Sequence, residues 1–128
     1  MATFPAATGD VLSAAMYNGL VTYTINTQSG STYTLASTDQ YQVLVIASNA
    51  STKTFSIPTD ATYAFPNGTA ITILNTGAGL LTVNAVTSGT TAVTSAGATS
   101  ASPTVAQYKA CVAVKTATNT WTILGSVA

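Results

Sequence analysis

The residues able to do chemistry in this chain are few, and their types exclude most of it. Its 128 residues include three acids, Asp10, Asp39 and Asp60, three lysines, Lys53, Lys109 and Lys115, and no histidine. Ser–His and Cys–His catalysis are therefore excluded, and only a Ser–Lys arrangement stays formally open. Two carboxylates could share general acid and base work if they met within several ångströms in contrasting surroundings. Each acid instead stands where aspartate is common, Asp10 as a helix cap and Asp39 and Asp60 in loops. Cys111 is the single cysteine, so it can form neither an internal disulfide nor a cysteine metal site. It alternates out of phase with Tyr108, Ala110, Val112 and Val114 and shares a face with Lys109 and Lys115, as a small apolar filler would. Gly77-Ala78-Gly79 lacks the lysine and the strand-to-helix setting of a phosphate loop. The expectation is a protein without catalytic, cofactor-binding or metal-binding residues.

Composition narrows the class further. Only six residues are charged, and threonine and serine fill the gap, with threonine favouring strands. A disordered chain shows the opposite balance of low hydrophobicity and high charge, so this one is expected to fold, as a single domain. Soluble monomers carry about a quarter of their residues as charges, partly to stay apart. A chain with so few presents either a neutral surface or one covered by partners, and a homo-oligomer is expected. Three lysines without arginine cannot build a patch that neutralises phosphates, which excludes nucleic acid as a partner. A membrane-spanning helix is excluded as well, because no apolar run is longer than that from Val43 to Ala47, against the ~20 residues such a helix needs. The first residues have no basic start and no long apolar stretch, so the chain reads as made in a cytoplasm without Sec-type export.

The elements that must position these side chains are mostly strands. Residues 1–20 read as an extended arm punctuated by Pro5, then a short helix capped by Asp10 and stopped at Asn18-Gly19. Phe4, Val11, Leu12, Met16 and Tyr17 form an apolar set on it, in a piece too short to be stable alone. They are the candidate interface for docking on a partner or on the domain itself. Residues 21–128 then read as one β-domain. Strands are expected over Val21 to Asn26, Thr32 to Ala36, Gln40 to Ser48, Thr52 to Ile57, Ala70 to Asn75, Leu80 to Val86, Val105 to Thr116 and Thr120 to Ser126. A short strand is added near Thr91 to Thr94, in a loop-like region running from Thr87 to Pro103. Gln40 to Ser48 is apolar on both faces at its centre and is expected inside a sheet. Trp121 and Ile123 alternate with threonines, which places the only tryptophan in the core.

The organising stretch is Ala64 to Val86. There Thr76-Gly77-Ala78-Gly79 predicts a short hairpin, because glycine takes positive φ without penalty, and Pro66-Asn67-Gly68 predicts a second turn. Short strands, frequent turns and one weak helix point to an all-β, antiparallel sandwich or barrel. The six tyrosines, Tyr17, Tyr23, Tyr33, Tyr41, Tyr63 and Tyr108, could serve as sugar-stacking platforms. Tyrosine at strand positions more often belongs to the core or a sheet face. Asn49-Ala50-Ser51 and Asn67-Gly68-Thr69 match the glycosylation pattern and, without a secretory signal, read as chance matches.

A family resemblance carries the reading beyond this point. Tyr33-Thr34-Leu35, Phe65-Pro66-Asn67-Gly68-Thr69, Asn75-Thr76-Gly77-Ala78-Gly79, Gln107-Tyr108, and Lys115 to Trp121 with Gly125 come in that order. Together they resemble a β-module of tailed-bacteriophage virion proteins. The segment Phe4 to Asn18, with Gly9-Asp10-Val11-Leu12-Ser13-Ala14-Ala15, is similar to N-terminal segments of phage fibre and decoration proteins. The resemblance implies a jelly-roll-like module and a non-enzymatic structural protein of the virion. It implies a capsid decoration or cement protein on the capsid surface, bound to the major capsid protein and to itself as a homotrimer. The alternative is a tail or fibre-tip module that binds host-surface glycans. A cement should show an apolar base, and a glycan module should show exposed aromatics clustered with polar side chains on loops.

Overall fold

A computed structural model describes residues 14 and 22–128. The arm and helix expected over residues 1–20, with Asp10, Phe4, Val11, Leu12, Met16 and Tyr17, lie outside the described residues. From Thr22 onward the alternation of apolar and polar residues becomes strand after strand. The order is β1 (Thr24–Gln28), β2 (Thr32–Thr34), β3 (Val43–Ala47), β4 (Lys53–Ile57) and β5 (Ala70–Asn75). Then come β6 (Leu81–Ala85), β7 (Ala92–Ser95), β8 (Thr104–Val105), β9 (Lys109–Ala117) and β10 (Thr120–Gly125). One turn of 3-10 helix, Ser37–Asp39, separates β2 from β3. Among the described residues no helix is long and apolar enough to cross a membrane.

Two mixed sheets result. One has six strands in the order β1-β3-β5-β9-β10-β7, the other four in the order β2-β4-β6-β8. Successive strands change sheet each time from β1 to β9, so the chain winds through three stacked rungs, β1–β2, β3–β4 and β5–β6. Strands one rung apart run parallel, as in Leu44 beside Thr72 and Phe55 beside Val83. Only the β9–β10 hairpin, its pairing with β5 and the short β6–β8 contact are antiparallel. The all-β expectation holds, and its antiparallel part is corrected. A jelly roll is built from antiparallel strands, and the parallel rungs give these residues a different connectivity.

The hairpin expected at Thr76-Gly77-Ala78-Gly79 is also corrected. β5 and β6 lie in different sheets, and neither Gly77 nor Gly79 has a positive φ. The segment is a corner between sheets, stacked on the corner at Asn49-Ala50-Ser51. A Cβ on Gly77 would sit 1.9 Å from the Asn49 carbonyl oxygen, and one on Gly79 would sit 2.2 Å from the Ser51 carbonyl carbon. Glycine is required there because two backbones touch. The positive φ values fall elsewhere, at Gly68 and Gly125 and, unusually for larger residues, at Gln42, Tyr108 and Asn119.

The core lies between the sheets. Val43, Val45 and Ala47 of β3, Ile71 and Ile73 of β5, and Trp121 and Ile123 of β10 point inward from one side. Phe55 and Ile57 of β4, Leu81 and Val83 of β6, and Val105 meet them from the other. Phe65 sits edge-on to Trp121 at 5.5 Å, as aromatic quadrupoles prefer, and Tyr63 is edge-on to Phe65 at 4.6 Å. Cys111 is buried on the inner face together with Ala113 and Lys115, and burial pushes its thiol up to about 12.

The outer face of the six-stranded sheet is unusual. Register places Ile25, Leu44, Ile46, Leu74, Val112, Val114 and Leu124 on it, interspersed with Thr27, Thr72, Thr94 and Thr122. No charged residue stands among them. Ile25 and Leu124 are more than half exposed, and the residues between are half-buried.

Candidate functional surfaces

The chemistry-bearing residues separate into three places. Asp39, expected in a loop, is buried at the 3-10 turn. Its carboxylate accepts hydrogen bonds from the Tyr33 hydroxyl at 2.6 Å, the Asn26 amide at 2.7 Å and the Ala36 backbone N–H at 2.8 Å. Burial, with this bond to Asp39, pushes the Tyr33 hydroxyl up to about 12. Three neutral donors hold the carboxylate and clamp β1, β2 and the 3-10 turn together.

Asp60 stands elsewhere. It forms an ion pair with Lys115 at 2.8 Å, in which the ammonium is buried and the carboxylate keeps 18 % of its side-chain surface. Lys115 also donates to the Phe65 carbonyl at 2.6 Å. The Asp60 N–H donates to the Asn119 side-chain oxygen at 2.8 Å, which ties the loop after β4 to the β9–β10 turn. The geometry orders loops: Asp39 and Asp60 share no partner.

Lys53 occupies the third place, buried on β4 beneath the stacked corners. Its ammonium donates to the Asn49 carbonyl at 2.6 Å and the Gly79 carbonyl at 2.9 Å, and among the described residues no carboxylate partners it. Burial alone lowers its pKa from the usual lysine value. Asn75 completes the corner, donating to the Gly79 and Val105 carbonyls and accepting from the Gly77 N–H. Among the described residues no three His, Cys, Asp or Glu side chains are grouped so as to hold a metal ion.

Two surfaces stand out among the described residues once these structural roles are taken out. One is the uncharged outer face of the six-stranded sheet. The other is a recess of about 530 Å³ where the chain enters β1, β3 and β5, lined by residues that include Tyr23, Gln40, Tyr41, Gln42, Asn67 and Thr69. Tyr23 and Tyr41 are its exposed rings. Sequence reasoning singled out Pro66-Asn67-Gly68 as a turn and the tyrosines as potential platforms. It did not bring them together, because residues 23, 41 and 67 meet only through the parallel stacking of the rungs. No family model, curated protein or solved structure matches this chain.

Proposed function

We propose that this chain is a non-enzymatic structural protein of a tailed-phage virion, a capsid decoration or cement protein that assembles with copies of itself. The observation that carries the reading is the outer face of the six-stranded sheet, broad, apolar and free of charge. Contiguous apolar surface of this kind marks sites of association, and symmetric self-assembly is the common way to cover it. In this reading the sheet face meets neighbouring copies. Residues 1–20, through Phe4, Val11, Leu12, Met16 and Tyr17, attach the assembly to the major capsid protein on the outer surface of the shell. Each buried Leu, Met or Phe there would contribute roughly 1.5–3 kcal/mol before ordering costs. Repetition over many sites turns a modest affinity into high occupancy. The trimeric state and the virion location come from the resemblance.

Two measurements test it. Light scattering should return a multiple of the 12.8 kDa chain mass, and a Leu44→Asp, Val112→Asp double variant should fall to the monomer while keeping its β-rich spectrum. A wild-type chain that stays monomeric at high micromolar concentration overturns self-assembly. Capsids lacking the protein should take up the full-length chain, and Leu12→Asp with Met16→Asp should abolish uptake. Full occupancy by that variant overturns the attachment role.

A further inference from the structure

We propose that β1 is a self-complementary edge, at which two copies of this chain pair antiparallel about a two-fold axis between their Asn26 residues. The contact runs along the rim of the sheet. It is separate from association across the outer face and holds whether or not the chain binds a capsid.

The sheets treat their two rims differently. At the β7–β8 rim the outward backbone groups are satisfied by the chain itself. The Thr104 N–H donates to the Ala128 carbonyl at 3.1 Å, and the Thr104 carbonyl accepts from the Ala128 N–H at 3.0 Å. The Ser95 N–H donates to the Ser100 hydroxyl, and that hydroxyl donates to the Ser95 carbonyl, each at 3.1 Å. The β1–β2 rim is built the other way. Thr24 donates to the Gln42 carbonyl and Gln28 accepts from the Ser48 N–H, so residues 24, 26 and 28 turn their backbone groups toward β3. Ile25 and Thr27 therefore turn theirs outward, and among the described residues no strand lies beyond β1. In the other sheet Leu35 donates to Ser56 and Ser31 accepts from Thr54, which turns Thr32 and Thr34 of β2 outward in the same way.

An edge that must stay single is ordinarily blunted by a lysine, a proline or a bulge. β1 reads Thr-Ile-Asn-Thr-Gln, carries neither residue, and keeps an unbroken register with β3. Its lack of charge selects a second copy as the partner. With the axis at Asn26, Ile25 of one copy stands opposite Thr27 of the other, and the two exchange their outward N–H···O bonds. Self-pairing would bring any charge on the strand beside its own duplicate, and here there is none to repel. Head-to-tail addition is blocked because Ala128 and Ser100 already occupy groups of the opposite rim, so like edge meets like. The axis stands perpendicular to the sheet, and the uncharged outer faces of the two copies continue one another.

The test uses the full-length chain, light scattering and amide hydrogen exchange. The wild type should contain an even number of 12.8 kDa chains. Ile25→Lys with Thr27→Lys sets two ammonium groups opposite each other across the axis and should halve the mass with an unchanged β-rich spectrum. Ile25→Lys with Thr27→Glu sets opposite charges on the same pair and should keep the wild-type mass. Both side chains are exposed, so neither double change touches the core. The amides of residues 25 and 27 should exchange about tenfold faster in the first variant than in the wild type. A monomeric wild type overturns the proposal, as does equal behaviour of the two variants. Equal protection of those amides in wild type and first variant overturns it too, since the chain would then cover the edge itself. A trimer overturns the two-fold edge and leaves the capsid reading standing.

Discussion

Two lysines are buried in this sandwich, and the two ends of the core they occupy are held by different forces. Lys115 sits where loops converge, paired with the Asp60 carboxylate and the Phe65 carbonyl. Lys53 sits beneath the stacked corners, held by the backbone carbonyls of Asn49 and Gly79. At the first end a charge pair ties connecting loops together. At the second the backbone is already packed, Gly77 against Asn49 and Gly79 against Ser51, and the lysine fills out carbonyls that the packing has placed. The Lys115 end should therefore fail when charge is removed, and the Lys53 end when volume is added.

The largest effect is expected from volume. Gly77→Ala should destabilise the fold by more than about 3 kcal/mol, because its methyl would meet the Asn49 backbone as well as the Lys53 ammonium, and the backbone cannot be displaced cheaply. Chemical denaturation measures this, and a loss below about 1 kcal/mol would mean that the corners are not rigidly stacked. Next comes removal of the carboxylate. Asp60→Ala strands a buried ammonium and should cost about 3 kcal/mol, at the low end for a broken buried pair since Asp60 is partly exposed.

The lysines themselves sharpen the contrast. Lys115→Met leaves Asp60 and the Phe65 carbonyl without their donor and should cost about 2 kcal/mol. Lys53→Met should cost no more than about 1 kcal/mol, because relief from burying a charge that has no counter-ion among the described residues offsets the lost bonds. If the Lys53 variant proved the weaker of the two, the distinction between the ends would fall.

Alkaline titration tests the burial of these groups directly. Cys111 is raised from 9.0 to about 12 and Tyr33 from 10.0 to about 12. Over those windows the unfolded chain releases protons that the folded chain keeps. Their contribution is complete below pH 9 and is lost as pH rises from 9 to about 12. Lys53 acts in the opposite sense, since a lowered folded pKa lets stability rise with pH up to 10.5. The denaturation midpoint should fall from pH 9 upward, less steeply in Cys111→Ala and more steeply in Lys53→Met, and slopes unchanged in both variants would contradict the Cys111 and Lys53 shifts.

Alternation alone placed many side chains correctly. Trp121 and Ile123 point into the core, and Cys111 shares its face with Lys115. These follow from the two-residue period of a strand, a local property that holds whatever the neighbour is. The β9–β10 hairpin was legible for a similar reason, since a short turn between two long alternating runs leaves few other options.

Partner and direction were decided only in three dimensions. Thr76 to Gly79 has the composition of a hairpin, yet it forms a corner between sheets, because a run of small residues suits either the reversal of one strand or the close stacking of two backbones. Period-two alternation is the same in parallel and antiparallel strands, so it could not announce the rungs that set Leu44 beside Thr72. Those rungs make everything non-local here. They bring Tyr23, Tyr41 and Asn67 around one recess, and they align Ile25, Leu44 and Leu74 into one uncharged face. They also set the Asn49 and Gly79 carbonyls around one ammonium. The sequence by itself determined the two-residue alternation of strands such as Ala70–Asn75 and Thr120–Gly125, since that is written residue by residue. Which strands lie side by side depends on burying those faces together, a property of the whole chain that only the tertiary structure could decide.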